Sequence, residues 1–311
     1  MLHLPAVIYM KQQIKSIFAL LLATIIWGST FVAQSVGMDH VGPFTFQAVR
    51  CFLAVIGLIP IIAIVDRFKK DGKTFLSRWK NKKLWKTGVL CGIPLFLACN
   101  LQQLGIVDTD AGKSAFLTAM YIVIVPIIGL FLKRKASKWT PVSVILAVGG
   151  LYCLSCVGVT SISKGDLLLI CCALMFALQI VFVDLFAGDL DSLRLNLIQA
   201  LVCAVLSGII MIFTEEPSWK SIAVCWLPLG YAGFLSMGAA YSLQIIGQKS
   251  LPPTSASLIM SLESVFAVLC GCWLLKETLT IWESIGCILM FIAVILSQIP
   301  DKKVHTSDNS K

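Results

Sequence analysis

One carboxylate stands inside a stretch of apolar and small residues, "SLESVFAVLCGCW" at 261–273. A charged side chain at the centre of a bilayer costs about 3 kcal/mol on insertion scales, so it persists where it faces a cavity, a partner or a proton. Glu263 is therefore the first candidate for function if the chain lies in a membrane. Three roles are open to it: proton coupling or contact with a substrate amine, an ion pair with Arg50, or a neutral hydrogen-bonding role in the core.

Two basic residues are candidates for binding an anion. Arg50 lies well inside a second apolar stretch, and its permanently charged guanidinium suits a carboxylate, belonging either to Glu263 or to a substrate. Lys113 begins another apolar stretch, one turn after Asp110. It either pairs with Asp110 at the membrane edge or attracts anions to the mouth of a cavity.

Uncharged polar side chains recur on single faces of the apolar stretches. Each alone most simply joins neighbouring helices by hydrogen bonds, but together they suggest a moderately polar cavity. The residues predicted to line it, besides Glu263, Arg50 and Lys113, are Tyr121, Trp27, Thr30, Asn100, Gln103, Gln179, Tyr241 and Gln244.

The composition indicates a polytopic, all-α membrane protein. Of the 311 residues 58% are hydrophobic and only 13% are charged, whereas a soluble domain has about 25% charged residues. Stretches of about 20 apolar residues, each able to cross the hydrocarbon layer as a helix, follow one another along the chain. We predict ten spans, numbered 1 to 10 in chain order: 16–36, 44–65, 87–106, 112–132, 140–159, 166–186, 194–213, 222–246, 254–275 and 281–299.

The net charge of +9 follows from membrane topology. If the N-terminus is inside the cell, most lysines and arginines, including the basic loop 66–86, fall on the cytoplasmic side, as the positive-inside rule requires. This predicts a plasma-membrane protein with cytoplasmic tails at 1–15 and 300–311, lipid headgroups near the basic loop, and no binding of nucleic acid. Met10 precedes a basic run and an apolar helix, so we predict that translation starts there.

Cysteine and histidine do not form a recognisable chemical site. All twelve cysteines fall in predicted spans, where a thiol behaves as a small apolar group, and the three histidines lie outside the spans. No metal-ligand spacing, catalytic triad or phosphate-binding glycine loop is present in the sequence. We therefore expect neither an enzyme nor a metal or other cofactor.

The second half of the chain resembles the first half in sequence. Shifting it by 142 positions aligns residues 85–155 with 227–297 without a gap, and a shift of 149 lays 46–55 over 195–204. We predict two repeats of five spans each, at 16–156 and 165–298. Because five is odd, the second repeat enters the membrane from the opposite side, which is the inverted-repeat architecture of secondary transporters.

Four segments resemble EamA-type transporters of the drug/metabolite transporter superfamily. They are "WGSTF" at 27–31, "FTFQAVR" at 44–50, "DAGKSAFLTAMYIVIVPIIG" at 110–129 and "SASLIMSLESVFAVLCGCWLLKETLT" at 255–280. The resemblance covers residues 16–298 and implies a ten-helix exporter of amino acids, other metabolites or drugs. The commoner Glu-Pro of the ninth helix is here Glu263-Ser264, so the resemblance does not imply a break in that helix.

Two kinds of carrier therefore remain open. The first exports a small zwitterionic or amphipathic metabolite in exchange for protons handled by Glu263. The second is an uncoupled facilitator, or a flippase for lipid-linked metabolites, in which Glu263 only pairs with Arg50. The sequence fixes neither the substrate, nor the coupling ion, nor the oligomeric state.

Overall fold

A computed structural model describes residues 6–69, 71–109, 111–133, 137–155, 163–275 and 280–299. Within these ranges the regular elements are all helices. They are α1 (Ala6–Met38), α2 (Pro43–Phe68), α3 (Phe75–Trp79), α4 (Lys82–Val107), α5 (Ala111–Ala119), α6 (Tyr121–Phe131), α7 (Thr140–Ser155), α8 (Lys164–Phe186), α9 (Ser192–Thr214), α10 (Trp219–Val224), α11 (Trp226–Gly230), a π-helical segment (Tyr231–Ala240), α12 (Tyr241–Gln248), α13 (Pro253–Met260), α14 (Glu263–Leu275) and α15 (Ile281–Ser297).

Eight helical stretches in the described ranges are long and apolar enough to cross a membrane. Two further apolar helices, Thr140–Leu154 and Ile281–Ser297, are shorter. Large apolar side chains such as Phe52, Ile145 and Ile288 are more than half exposed on the outside of the bundle, where a soluble protein would carry charge. The chain is therefore a multi-pass membrane protein.

The helices differ from the predicted spans mainly at their ends. α1 begins at Ala6, inside the stretch predicted as a tail, so the helix is longer than the predicted span. The basic loop contains a helical turn, α3, that was not predicted; Thr74 caps it by accepting a hydrogen bond from the Ser77 N–H. The end of predicted span 5, residues 156–159, lies outside the described residues.

Local capping explains where several helices start. Asp191 accepts the Arg194 N–H at the start of α9. Ser163 with Asp166, and Thr280 with Glu283, form reciprocal capping boxes at the starts of α8 and α15. Each cap satisfies backbone N–H groups that have no partner within the helix.

Two membrane-crossing stretches are broken inside the bundle. α5 gives way to α6 at Tyr121, and α13 gives way to α14 at Glu263. The second break occurs without proline: the hydroxyls of Ser257 and Ser261 donate back to carbonyls of their own helix, which bends helices, and Ser264 Oγ donates to the Ala115 carbonyl of α5 at 3.0 Å. The ninth stretch therefore breaks even though Glu263-Ser264 replaces Glu-Pro.

Helices that are far apart in the sequence pack side by side. α2 packs against α9 and α7 against α15, while α4 packs against α8 and α1 packs against α12, the π-helical segment and α14. Glycines permit close helix crossings, and two of them illustrate this. A Cβ on Gly105 would lie 2.6 Å from the Leu169 side chain, and one on Gly247 would lie 2.6 Å from that of Leu20.

A carboxylate fastens each end of the α2–α9 pair. Glu215, which follows α9, accepts the Phe44 and Thr45 N–H groups at 2.9 and 2.8 Å, and so holds the first turn of α2. Asp66, in the last turn of α2, receives the guanidinium of Arg194 in the first turn of α9. The two helices are thus joined on both sides of the bundle.

Candidate functional site

A narrow, partly open cavity of about 30 Å³ lies in the middle of the bundle. The two halves of the chain contribute equally to its wall. The lining residues are Trp27, Thr30, Phe31, Gln34, Arg50, Gln102 and Tyr121 from the first half, and Phe176, Ile180, Ser236, Tyr241, Gln244, Met260 and Glu263 from the second. Seven of the predicted residues line this cavity: Trp27, Thr30, Arg50, Tyr121, Tyr241, Gln244 and Glu263.

The Glu263 side chain is held by Tyr121, the residue that the 142 shift aligns with it. Glu263 is buried, with 5% of the residue exposed. The Tyr121 hydroxyl donates to Glu263 Oε1 at 3.0 Å. Glu263 is also the first residue of α14, where the helix dipole favours negative charge. The carboxyl group therefore sits at a helix start, within reach of anything that enters the cavity.

Arg50 reaches the cavity without a carboxylate partner. The residue is 2% exposed, and its guanidinium lies 5.9 Å from the centre of the Phe46 ring. No described carboxylate lies within 4.0 Å of it, and Arg50 Nε has no hydrogen-bond partner. The ion pair with Glu263 that the sequence left open is therefore absent from this structure, although both side chains line the cavity. A buried, unpaired guanidinium is a site for an anion.

Aromatic rings form two further walls. Trp27 packs edge-to-face on Tyr241 with centroids 5.0 Å apart, and Tyr121 packs edge-to-face on Phe176 at 6.5 Å. The Trp27 Nε1–H group has no hydrogen-bond partner. These rings offer apolar contact and a cation-attracting π-face beside the charged groups.

Three side-chain amides form a hydrogen-bonded cluster beside the cavity, near the C-terminal end of α1. Gln34 Nε2 donates to the Gln103 oxygen at 2.9 Å and to the Gln102 oxygen at 3.2 Å. Gln102 Nε2 in turn donates to Thr118 Oγ1 at 3.3 Å. Gln103 was predicted to line the cavity, but it does not. It instead orients Gln34, which does line the cavity.

A second amide cluster lies towards the opposite side of the bundle. Gln244 Nε2 donates to Gln179 at 2.9 Å and to Gln248 at 3.1 Å, and Gln179 Nε2 donates to Gln199 at 3.0 Å. Gln248 completes the set by donating to the Ile180 carbonyl. Gln179, predicted as a lining residue, lies behind Gln244 for the same reason as Gln103: a buried amide needs partners on neighbouring helices.

Two predicted residues lie away from the cavity. Asn100 and Ser207 exchange hydrogen bonds at 2.8 and 3.2 Å, which joins α4 to α9. Lys113 Nζ lies 2.6 Å from Asp166 Oδ2 and joins α5 to α8. The predicted partner Asp110 lies outside the described residues.

Sequence reasoning missed nearly half of the wall. Gln34 shares a polar face of the first span with Trp27 and Thr30, which the sequence indicates. The lining residues that the sequence did not indicate are Phe31, Gln102, Phe176, Ile180, Ser236 and Met260. Most are apolar or small, and nothing in an apolar helix distinguishes such a residue from one that faces lipid. The repeat offered a signal for two of them, since Phe176 aligns with Trp27 and Gln102 with Gln244.

The arrangement of these side chains suits the binding of a small molecule. Among the described residues, no group of three histidine, cysteine or acidic side chains is placed to hold a metal ion. The wall instead offers a carboxyl group, an unpaired guanidinium, aromatic faces and amides to one small molecule. Such convergence of a few polar groups in an apolar enclosure is typical of ligand sites.

Comparison with known proteins agrees with this description. The EamA-like transporter family matches residues 14–156 and again residues 163–298. An uncharacterized transporter of Archaeoglobus fulgidus is 31% identical over 93% of this chain and 90% of its own length. The uncharacterized transporter YoaV of Bacillus subtilis is 25% identical over 92% of this chain and 97% of its own.

One solved crystal structure shares the fold. It is 16% identical in sequence and superposes with a TM-score of 0.73 over 91% of this chain and 96% of its own. The family matches extend over nearly the whole sequence and contain every residue that lines the cavity. The chain therefore belongs to the EamA-like transporter family.

Proposed function

We propose that the protein is a secondary-active carrier that exports small zwitterionic metabolites, amino acids or related compounds, in exchange for protons. The observation that carries the proposal is the presence of two charged groups in the wall of one cavity. Glu263 and Arg50 both line it, yet they form no ion pair with each other. A molecule with an amine and a carboxylate supplies the oppositely charged partner that each of them lacks.

Burial strengthens this argument. Leaving an ionised side chain unpaired in the low-dielectric interior costs several kcal/mol, an amount that a bound counter-charge can offset. The guanidinium cannot lose its charge, so a substrate carboxylate is its natural partner. The Glu263 carboxyl can become neutral, so a proton and a substrate amine can occupy it in turn.

The proposed architecture has ten spans in two inverted five-helix repeats. The packing supports it: under the 142 and 149 shifts, the contact of Gly105 with Leu169 is the counterpart of the contact of Gly247 with Leu20. The same shifts relate Asp66 to Glu215, the two carboxylates that fasten α2 to α9. A cavity built equally by both halves is where alternating access is expected.

The proposed orientation has both termini in the cytoplasm of a cell bounded by the plasma membrane. The basic residues around α3 support it, because such residues favour the cytoplasmic side. In this orientation the Gln34 cluster faces the outside and the Gln244 cluster faces the cytoplasm. Export then requires opening of the Gln244 side for loading and of the Gln34 side for release.

The test is proton movement in proteoliposomes that contain the purified protein and a pH-sensitive dye. Amino acids, nucleosides, sugars and cationic drugs are added in turn under an imposed pH gradient. Proton flux that is triggered by zwitterions, and is absent with Glu263→Gln, is the expected result. Flux triggered only by uncharged or cationic compounds would refute the zwitterion proposal.

An uncoupled carrier gives a different result in the same assay. Radiolabelled zwitterion would equilibrate across the membrane without any dye response, and Glu263→Gln would not change its rate. Transfer of a lipid-linked metabolite would show neither signal, but would appear as movement of a fluorescent lipid between leaflets. Either result would replace proton-coupled export by the corresponding uncoupled function.

A further inference from the structure

One segment next to the cavity is π-helical, whereas the segment that aligns with it in the first half is α-helical. Residues Tyr231–Ala240 form ten residues of π-helix, and the Tyr241 N–H donates to the Ser236 carbonyl, five residues back. The 142 shift relates this segment to residues 89–98, which lie within the α-helix α4. The π-helix is therefore a feature of one half only. Such winding is rare and concentrates at functional sites.

A single side chain from α9 forms hydrogen bonds with the C-terminal end of the π-helical segment. Asn196 is fully buried, and its Nδ2 group lies 2.9 Å from the carbonyls of both Met237 and Gly238. The same group lies 3.0 Å from Ser242 Oγ, which donates to the Gly238 carbonyl at 2.7 Å. These bonds stand at the junction between the π-helix and α12, where the change of winding disturbs the normal backbone pairing.

The other half provides an internal comparison. Gln47 is the counterpart of Asn196 under the 149 shift, but its Nε2 group donates to Cys51 Sγ of its own helix at 3.2 Å. The neighbouring helix in that half, α4, is α-helical. The wide winding thus occurs where an amide reaches across to the carbonyls, and not where the amide stays on its own helix.

The junction determines which side chains face the cavity. Ser236 lies within the π-helical segment, and Tyr241 and Gln244 follow it; all three line the cavity. Successive residues of an α-helix are about 100° apart around its axis. Loss of one residue from the wide turn would therefore rotate Tyr241 away from Trp27 and remove Gln244 from the cavity wall.

We propose that Asn196 is a positioning residue of the cavity: it holds the segment Tyr231–Ala240 in its π-helical form and thereby places Tyr241 and Gln244 against the substrate. Asn196 itself does not line the cavity and acts only through these backbone carbonyls. The placement of the helix is a claim about the fold, whereas its effect on substrate rests on the proposed function.

The first experiment follows backbone hydrogen exchange by mass spectrometry on the full-length protein in detergent, without substrate. The variants are Asn196→Ala, the isosteric Asn196→Asp, which removes the amide donor, and Gln47→Ala as the matched control. Exchange over residues 237–245 is expected to accelerate at least 10-fold in the Asn196 variants and to stay unchanged in Gln47→Ala. Lowering the pH is expected to restore protection in Asn196→Asp, relative to wild type at the same pH, because a protonated carboxyl group can donate.

The second experiment measures transport of the zwitterion that gives the largest flux in the panel described above. The Asn196 variants are expected to raise KM at least 5-fold and to change kcat less than 2-fold, because the chemistry of the cavity is kept but its shape is altered. Unchanged exchange in 237–245, or acceleration spread equally over all helices, would overturn the proposal. An unchanged KM would also overturn it.

The two measurements separate this proposal from the function on which it rests. If wild type moves no zwitterion, the proposed function fails and the exchange data still decide whether Asn196 holds the π-helical segment. If Asn196→Ala does not fold, the isosteric Asn196→Asp variant gives the decision.

Discussion

The Tyr121 hydroxyl donates to Glu263 Oε1 at 3.0 Å, and each residue is the first of a helix that begins inside the bundle. The two positions are related by the 142 shift, so the bond joins counterparts across the centre of the molecule. The start of α14 favours negative charge at Glu263. The bond from Tyr121 therefore holds the carboxyl group at a helix start in the wall of the cavity.

Glu263→Gln is expected to abolish uphill transport and to preserve exchange of substrate for substrate. The amide keeps the size of the side chain and can still accept the Tyr121 hydrogen bond, but it cannot carry a proton. Uphill accumulation driven by a pH gradient should fall at least 100-fold, while counterflow of labelled substrate should stay within about 5-fold of wild type.

Tyr121→Phe is the matched control, because it removes the hydrogen bond and leaves the carboxyl group. This variant should still accumulate substrate uphill, at a rate reduced about 10-fold or less. If Glu263→Gln accumulated substrate as well as wild type does, the proton would have to be carried elsewhere.

Arg50→Lys is expected to discriminate among substrates. Lysine keeps the charge but loses the planar, bidentate fork, which costs about 1–3 kcal/mol for a carboxylate partner, or roughly a 5- to 150-fold rise in KM. Substrates without a carboxylate should change less than about 3-fold. An equal loss for all substrates, measured as KM over the same panel, would make Arg50 a structural residue instead.

The membrane-crossing helices and the charged residues of the site were predictable for one physical reason. A bilayer demands long apolar helices, and any charge within them stands out. Glu263 and Arg50 therefore stand out as candidates, and the 142 shift aligns Tyr121 with Glu263. Their relation in space was not predictable, because the rotation of each helix about its axis depends on packing against neighbours.

The irregular backbone could not be read from the sequence either. The break before Glu263 arises from serine hydroxyls that donate to carbonyls, and the π-helical segment is gripped by Asn196 from another helix. The Ser261 bond is local, whereas the Asn196 bonds are tertiary; both are made by single polar residues, which leave no periodic pattern. Asn100 and Gln103 show the same limit, since a polar residue on a helix binds another helix as readily as it lines a cavity.

Glu215→Ala is expected to loosen the side of the bundle where α2 begins. Glu215 accepts the Phe44 and Thr45 N–H groups and the Thr45 hydroxyl. Hydrogen bonds to a charged group contribute about 1.5–3 kcal/mol each at most, so a loss of about 2 kcal/mol in the free energy of unfolding is expected. Thermal unfolding in detergent measures it. The adjacent, exposed Glu216 provides the control: Glu216→Ala should change the stability by less than about 0.5 kcal/mol. If both variants lost the same stability, the hydrogen bonds from α2 to Glu215 would not be what stabilises this side of the bundle.

Gly247→Ala is expected to destabilise the contact between α12 and α1. Its Cβ would lie 2.6 Å from Leu20 Cγ and 2.9 Å from the Ser16 carbonyl oxygen, and such overpacking costs about 1–3 kcal/mol. Gly129 has no atom within 4 Å of the corresponding position. Gly129→Ala should therefore be neutral, or stabilising by up to about 1 kcal/mol through helix propensity. Thermal unfolding of both variants checks the contrast, and a neutral Gly247→Ala would mean that the helices can separate freely.

Asp191 is expected to make the protein sensitive to acid. Burial tends to raise the pKa of this carboxyl group, but the hydrogen bond from Lys69 at 2.6 Å and the Arg194 N–H outweigh it and hold the pKa below its ordinary value. A carboxylate whose pKa is depressed on folding stabilises the protein above its unfolded value of about 4, and loses this contribution as the pH falls further.

The expected result is a lower Tm for Asp191→Asn at pH 7 and a smaller fall in Tm between pH 5 and 3 than in wild type, roughly 2–4 °C less. Asp39→Asn, which changes an exposed carboxylate between α1 and α2, is the control and should follow wild type at every pH. Thermal unfolding in detergent over this pH range provides the measurement. If Asp191→Asn lost stability in acid as steeply as wild type does, Asp191 would not be the source of the acid sensitivity.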